Sequence, residues 1–141
     1  MIRVVLIFLS SLAFCEASFD RNSVGVVTDS LTKLQWQDDA IGTKASWKMA
    51  IDRCEALTLG GFSDWRLPNK NELISIVDTS KTNPSISKAF INTKSNYYWS
   101  STTSIFANDT NRAHHVVFYG GTTDNLSKSN QLYVRCVRGG F

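Results

Sequence analysis

GGFSDWRLPNKNEL (Gly60–Leu73) brings together a glycine pair, a tryptophan flanked by Asp64 and Arg66, and a proline, directly ahead of a helical pattern. Pro68 has no backbone N–H and disfavours helix in the residue before it, so the chain is held extended at Leu67. Asn69 then stands as an N-cap with Glu72 three residues on, a variant of the capping box. Leu73, Ile74, Ile76 and Val77 supply the apolar residues of the helix that follows. Two readings compete for the centre of the stretch. Trp65 could stack on a sugar that Asp64 and Arg66 orient. Alternatively, Arg66 forms a bidentate, part-buried ion pair or binds backbone carbonyls while Trp65 enters the core. Strict turn chemistry between two helices favours the second. Asp64, Trp65, Arg66 and Pro68 are therefore expected to form a structural motif, not a chemical centre.

Working upstream, TKASWKMAIDRCEALTL places Trp47, Ala50, Ile51, Cys54 and Leu57 at helical spacing, with Cys54 on the buried face. Thr43 or Ser46 is the expected cap, and Gly60-Gly61 the expected stop. Before it, Val24–Asp39 reads as a β-hairpin with its polar turn at Thr28–Lys33. Downstream, a polar connection holds a short apolar piece around Phe90-Ile91. Three expected strands follow: YYWSST (Tyr97–Thr102), HHVVFYGG (His114–Gly121) and QLYVRCVRGG (Gln131–Gly140). Period-two alternation in the last puts Leu132, Val134 and Cys136 on one face and separates Arg135 from Arg138. Helices and strands that run in blocks point to an α+β fold.

The chain has 141 residues, enough for one domain with a real core. Its 43% hydrophobic and 19% charged residues are ordinary for a globular protein, and four Trp, four Tyr and eight Phe suit a loop-rich fold leaning on large side chains. A net charge of +3 with no Lys/Arg block gives no footprint for nucleic acid. MIRVVLIFLSSLAFCEAS has the layout of a secretory signal peptide: an early Arg3, an apolar run from Val4 to Phe14, then small residues. Residues 1–17 are read as this leader and 18–141 as the mature domain, exported to the periplasm, the cell surface or the medium. A lipidated Cys15 competes, although Phe14 is bulky where such signals want a small residue. Membrane attachment is expected only through Cys15 or an uncleaved leader. Without the leader two cysteines remain, Cys54 and Cys136, where disulfides persist. A bridge is favoured over two separate buried thiols. Closing so long a loop stabilises by roughly 4 kcal/mol on the chain-entropy model.

TDSLTKLQWQ, SWKMAIDRCEAL, GGFSDWRLPNKNELISIVD, YYWSST and YVRCVR resemble, in that order, the blocks of the Lcl C-terminal domain family, from about Val24 to Gly140. That family takes its name from a bacterial collagen-like adhesin. The resemblance implies a C-type-lectin-like design: a twisted antiparallel sheet with two helices and a long loop region. A cysteine in the first helix bridged to one in the last strand is similar to the long-range lectin disulfide. It also implies noncatalytic binding, and the namesake adhesin binds sulfated glycosaminoglycans as a trimer. This chain has no Gly-X-Y repeat to trimerise it.

Catalytic and metal chemistry find little footing. Ser100 and Ser101 lie outside any G-x-S-x-G elbow, and His114 and His115, adjacent in a strand, point to opposite faces. No HExxH, EF-hand or Cys/His spacing occurs, and Asn108 and Asp109 in FANDTNR read better as turn formers than as calcium ligands. The formylglycine-generating enzymes, related in broad fold, need a reactive cysteine or copper-binding pair that the expected bridge would occupy. No enzyme, cofactor or metal is expected. The ligand is expected to be a glycan or a protein, contacted through the loops between Tyr97 and Asn130, with Trp99, Asn108, Asp109 and Arg112 as candidates. A structural envelope component is the alternative. An exposed aromatic among converging polar groups would favour recognition, and a flat apolar patch would favour assembly.

Overall fold

A computed structural model describes residues 17–140, so the expected leader, Cys15 included, lies almost wholly outside the described residues. The fold is α+β, with the strands in two antiparallel sheets rather than one. The first sheet has the order β1 (Phe19–Arg21), β2 (Val26–Asp29), β3 (Gln35–Gln37) and β7 (Val137–Arg138). The second has the order β4 (Tyr97–Thr103), β5 (Arg112–Val117) and β6 (Thr122–Ser127). Helices α1 (Trp47–Glu55) and α2 (Lys70–Ser75) lie between β3 and β4 in sequence.

The core divides into two clusters. One gathers Val27, Trp36, Leu73, Ile76, Phe90, Tyr98, Val116, Phe118 and Val137, and the other Val26, Ala50, Cys54, Trp65, Leu67, Trp99, Ala113 and Cys136. Adjacent strand residues point to opposite faces, so a buried pair such as Tyr98-Trp99 must serve both. Val26-Val27 and Cys136-Val137 divide in the same way. At these pairs both faces of the strand are covered.

Hairpin β2–β3 forms with Val27 opposite Trp36, and the β1–β2 turn ahead of it depends on a glycine. Gly25 has φ +85°, and a Cβ there would sit 2.4 Å from the Cα of Asp39. The second helix begins as the sequence indicated. The Asn69 side chain accepts from the Glu72 N–H at 2.9 Å, and the Glu72 carboxylate accepts from the Asn69 N–H at 2.9 Å.

Four expectations need correction. Helix α1 follows Ser46, but neither that hydroxyl nor any other side chain caps it, and it ends at Glu55. Gly60-Gly61 does not stop the helix. Both glycines have positive φ and make a two-residue turn closed by reciprocal Leu59–Phe62 backbone bonds, the geometry of a primed hairpin turn. Residues 122–127, expected as loop, form β6, because register with β5 outweighs the weak strand propensity of TTDNLS. The terminal segment is not one continuous strand. It bridges Tyr98 at Tyr133 and then joins β3 at Val137, crossing from one sheet to the other. Alternation lapses at the crossing, where Arg135, Cys136 and Val137 are all buried.

Candidate functional site

Cys54 and Cys136 are joined, with Cα atoms 5.4 Å apart and 82 residues between them in sequence. The bridge ties α1 to the terminal segment inside the second core cluster. Around it, the DWRLP motif is docked by each of its residues. Trp65 is buried, and its Nε1 donates to the carbonyls of Leu59 (3.2 Å) and Phe62 (3.1 Å) across the glycine turn. Arg66 grips both Glu72 oxygens at 2.7 and 2.8 Å and donates to the Gly139 carbonyl at 2.9 Å. The Glu72 carboxylate beside it raises the Arg66 pKa. Arg66 and Val137 exchange backbone bonds at 2.9 Å, and the buried Pro68 accepts from the Ser101 N–H at 2.7 Å. Asp64 is exposed and takes Arg138 bidentately at 2.6 and 3.1 Å, which lowers its pKa. The Arg138 guanidinium lies 3.5 Å from the centre of the Phe62 ring. The motif thus joins the glycine turn, α2, β4 and the terminal segment.

A second arginine centre gave no sign in the sequence. Asp38 is buried and accepts from Arg21 Nε and Arg135 Nη1, both at 2.9 Å, and from the Ile91 and Asn92 N–H groups at 3.0 and 3.1 Å. Arg135 also donates to the Gln37 carbonyl at 2.6 Å, the Asn92 carbonyl at 2.9 Å and the Thr93 hydroxyl at 2.7 Å. It is thus a structural tie, not an available cation.

The candidate ligand residues separate into those the structure makes accessible and one it does not. Trp99 is fully buried, and its Nε1 donates to the Ala45 carbonyl at 2.9 Å. Strand alternation turns it inward, so it is not a contact residue of a loop. Arg112 begins β5, while Asn108 and Asp109 lie in the β4–β5 connection. Asp109 and Arg112 line one groove of about 530 Å³, together with Phe106, Ala107, Asp124 and Asn125. Asn108 is exposed next to it.

The groove owes its form to a tight turn at Phe106–Asn108. Ala107 and Asn108 both have positive φ, near 55° and 59°, an uncommon conformation for residues other than glycine. The Phe106 carbonyl accepts from the Asp109 N–H at 3.1 Å, and Asp109 Oδ1 accepts from the Asn111 N–H at 2.9 Å. Phe106 itself stays 73% exposed, beside Ile105 at 83%. On the sheet side, Arg112 reaches diagonally to β6, donating to Asn125 Oδ1 at 2.5 Å and to its carbonyl at 2.8 Å. Asp124 Oδ1 accepts from the Asn125 N–H at 2.7 Å. Asp109 and Asp124 each hold the local backbone with Oδ1, and their Oδ2 atoms have no partner among the described residues.

Phe106, Asp124 and Asn125 were not singled out from sequence. Two neighbouring apolar residues inside a polar loop, Ile105-Phe106, were the available signal. Among the described residues no Ser hydroxyl is hydrogen-bonded to a His ring. The Ser100 hydroxyl donates to the His114 carbonyl at 2.8 Å, and His115 is buried with its ring against Tyr97. Among the described residues no three His, Cys, Asp or Glu side chains cluster to hold a metal ion. No helix among them is long and apolar enough to cross a membrane.

Fold and bridge define a small, disulfide-closed α+β domain, of a kind compatible with an exported protein. The sequence model of the Lcl C-terminal domain family matches residues 25–138, and the chain belongs to that family. No curated protein matches the chain.

Proposed function

We propose that this domain is an exported, noncatalytic binding module that recognises a glycan or a protein through the groove beside Phe106. One observation carries the reading: an exposed aromatic ring shares a groove with Asp109, Arg112, Asp124 and Asn125. Binding sites combine apolar surface with a few oriented polar groups in this way. Family membership supports a binding or adhesin-like role. The long-range bridge from α1 to the terminal segment supports kinship with C-type-lectin-like designs, and the same bridge supports an oxidising compartment. Likeness of fold does not by itself assign a ligand, and the reading rests on the groove.

The test is a screen of the purified, oxidised protein against a glycan array, with and without a chelator. The expected result is saturable binding that the chelator leaves intact and that Phe106→Ala weakens. Silence across an array, from protein whose near-ultraviolet dichroism shows native packing, would transfer the role to a protein partner or to assembly within the envelope.

A further inference from the structure

We infer that the ligand of this groove is a neutral, hydroxyl-rich saccharide and not a sulfated or otherwise anionic one. The inference rests on the reading of the groove as the binding site and names what enters it.

Charge is the first argument. Two acidic residues, Asp109 and Asp124, line the groove against one basic residue, Arg112. The Arg112 guanidinium is already committed to Asn125 through Nε and Nη2. The next cation along the chain, Lys128, is turned away: its Nζ lies 3.9 Å from the centre of the Trp47 ring and donates to the Thr103 hydroxyl at 2.9 Å. A sulfate entering the groove would meet net negative charge at separations well inside the roughly 8 Å over which physiological salt screens it.

The second argument concerns the rest of the surface. An anionic polysaccharide needs several free cations on one face. Arg66, Arg135 and Arg138 are held by Glu72, Asp38 and Asp64, and Lys81 by Asp78. Among the residues that line the groove, Arg112 is the only cation.

The third argument is hydrogen-bond chemistry. Each free Oδ2 is an anionic acceptor, and the Arg112 Nη1 group is an unengaged donor, so the groove offers both partners that a sugar hydroxyl needs. Hydroxyl donors to carboxylates make short, charge-assisted bonds, whereas sulfate oxygens only accept. The Phe106 ring adds an apolar face for the C–H side of a pyranose.

The experiment prints neutral hexose and pentose oligosaccharides beside their sulfated counterparts. It reads binding at low and high salt for wild type, Phe106→Ala and Asp124→Asn, each checked for native near-ultraviolet dichroism. The expected result is binding to neutral members that changes less than twofold with salt and falls at least about fivefold in both variants. Binding confined to sulfated members and weakened by salt, but still lost in Phe106→Ala, would overturn the ligand class while leaving the groove as the site. Saccharide binding that both variants leave unchanged would overturn the groove reading and this inference together, whereas none to any member would overturn this inference and leave the groove to a protein.

Discussion

Asp38–Arg135 and the groove at Arg112 are made of the same side chains in opposite proportions. In the interior one carboxylate serves two arginines, Arg21 and Arg135, and every Asp38 oxygen is occupied. At the rim two carboxylates flank one arginine, and each keeps an oxygen in reserve. Burial accounts for the contrast. An unpaired charge inside is destabilising by several kcal/mol, so an interior centre survives only when satisfied, whereas water satisfies the rim at little cost. The first arrangement holds four segments of chain together. The second leaves acceptors available to something else.

Removing Asp38 breaks the interior centre outright. Asp38→Ala strands the buried Arg135 and should lower unfolding free energy by roughly 3–5 kcal/mol, read by urea denaturation. An effect below about 1 kcal/mol would mean that water reaches Arg135 and that the contrast with the rim is false. The disulfide lies on the same side of the comparison. Cys54→Ser with Cys136→Ser should cost about 2–4 kcal/mol in the same assay, and reducing agent should reproduce it in wild type.

Arg66 is intermediate, with its side chain 40% exposed. Arg66→Lys keeps the charge but loses the fork to Glu72 and the bond to Gly139, at a cost of about 1 kcal/mol. A value equal to that of Asp38→Ala would place DWRLP among the buried centres instead.

His115 sharpens the comparison through pH. Burial lowers its pKa below the usual 6.5, partly offset by the Asp124 carboxylate, with His114 lowering it further. The unfolded chain therefore takes up this proton first. Stability should be full above pH 6.5 and decline as pH falls from there toward the lowered folded value. His115→Phe should flatten that portion of a Tm-against-pH curve. The Asp64 and Asp78 carboxyls, lowered by Arg138 and Lys81, act in a separate window below the usual 3.8. Least of all should be Phe106→Ala, within about 0.5 kcal/mol of wild type in stability, because its ring is mostly in water. A large loss there would make Phe106 a packing residue.

What the sequence made legible follows the range of the forces involved. The Asn69–Glu72 cap is local, spans three residues and was readable as written. The two helices follow from apolar period, and Cys54–Cys136 from having two candidates left. The burial of Arg135 was not legible, because alternation assumes one sheet and its segment changes sheets between Tyr133 and Val137. Trp99 was taken as a contact residue although its strand was recognised, because the pattern of one strand does not reveal that β4 has core on both faces. The groove was half legible. Asp109 and Arg112 sit close in sequence, but Asp124 joins them only through the register of β6 on β5.

The crossing of the terminal segment also sets an order of events. Val137 fills the slot beside β3, Tyr133 covers the outer side of β4, and Cys136 completes the bridge. A chain synthesised from its N-terminus therefore spends its whole elongation with two strands lacking a neighbour and both clusters short of a wall. No early portion can close by itself, since the pieces that finish both sheets arrive together and last. Such a chain waits, sticky at two edges, and then folds in a single late event dominated by distant contacts.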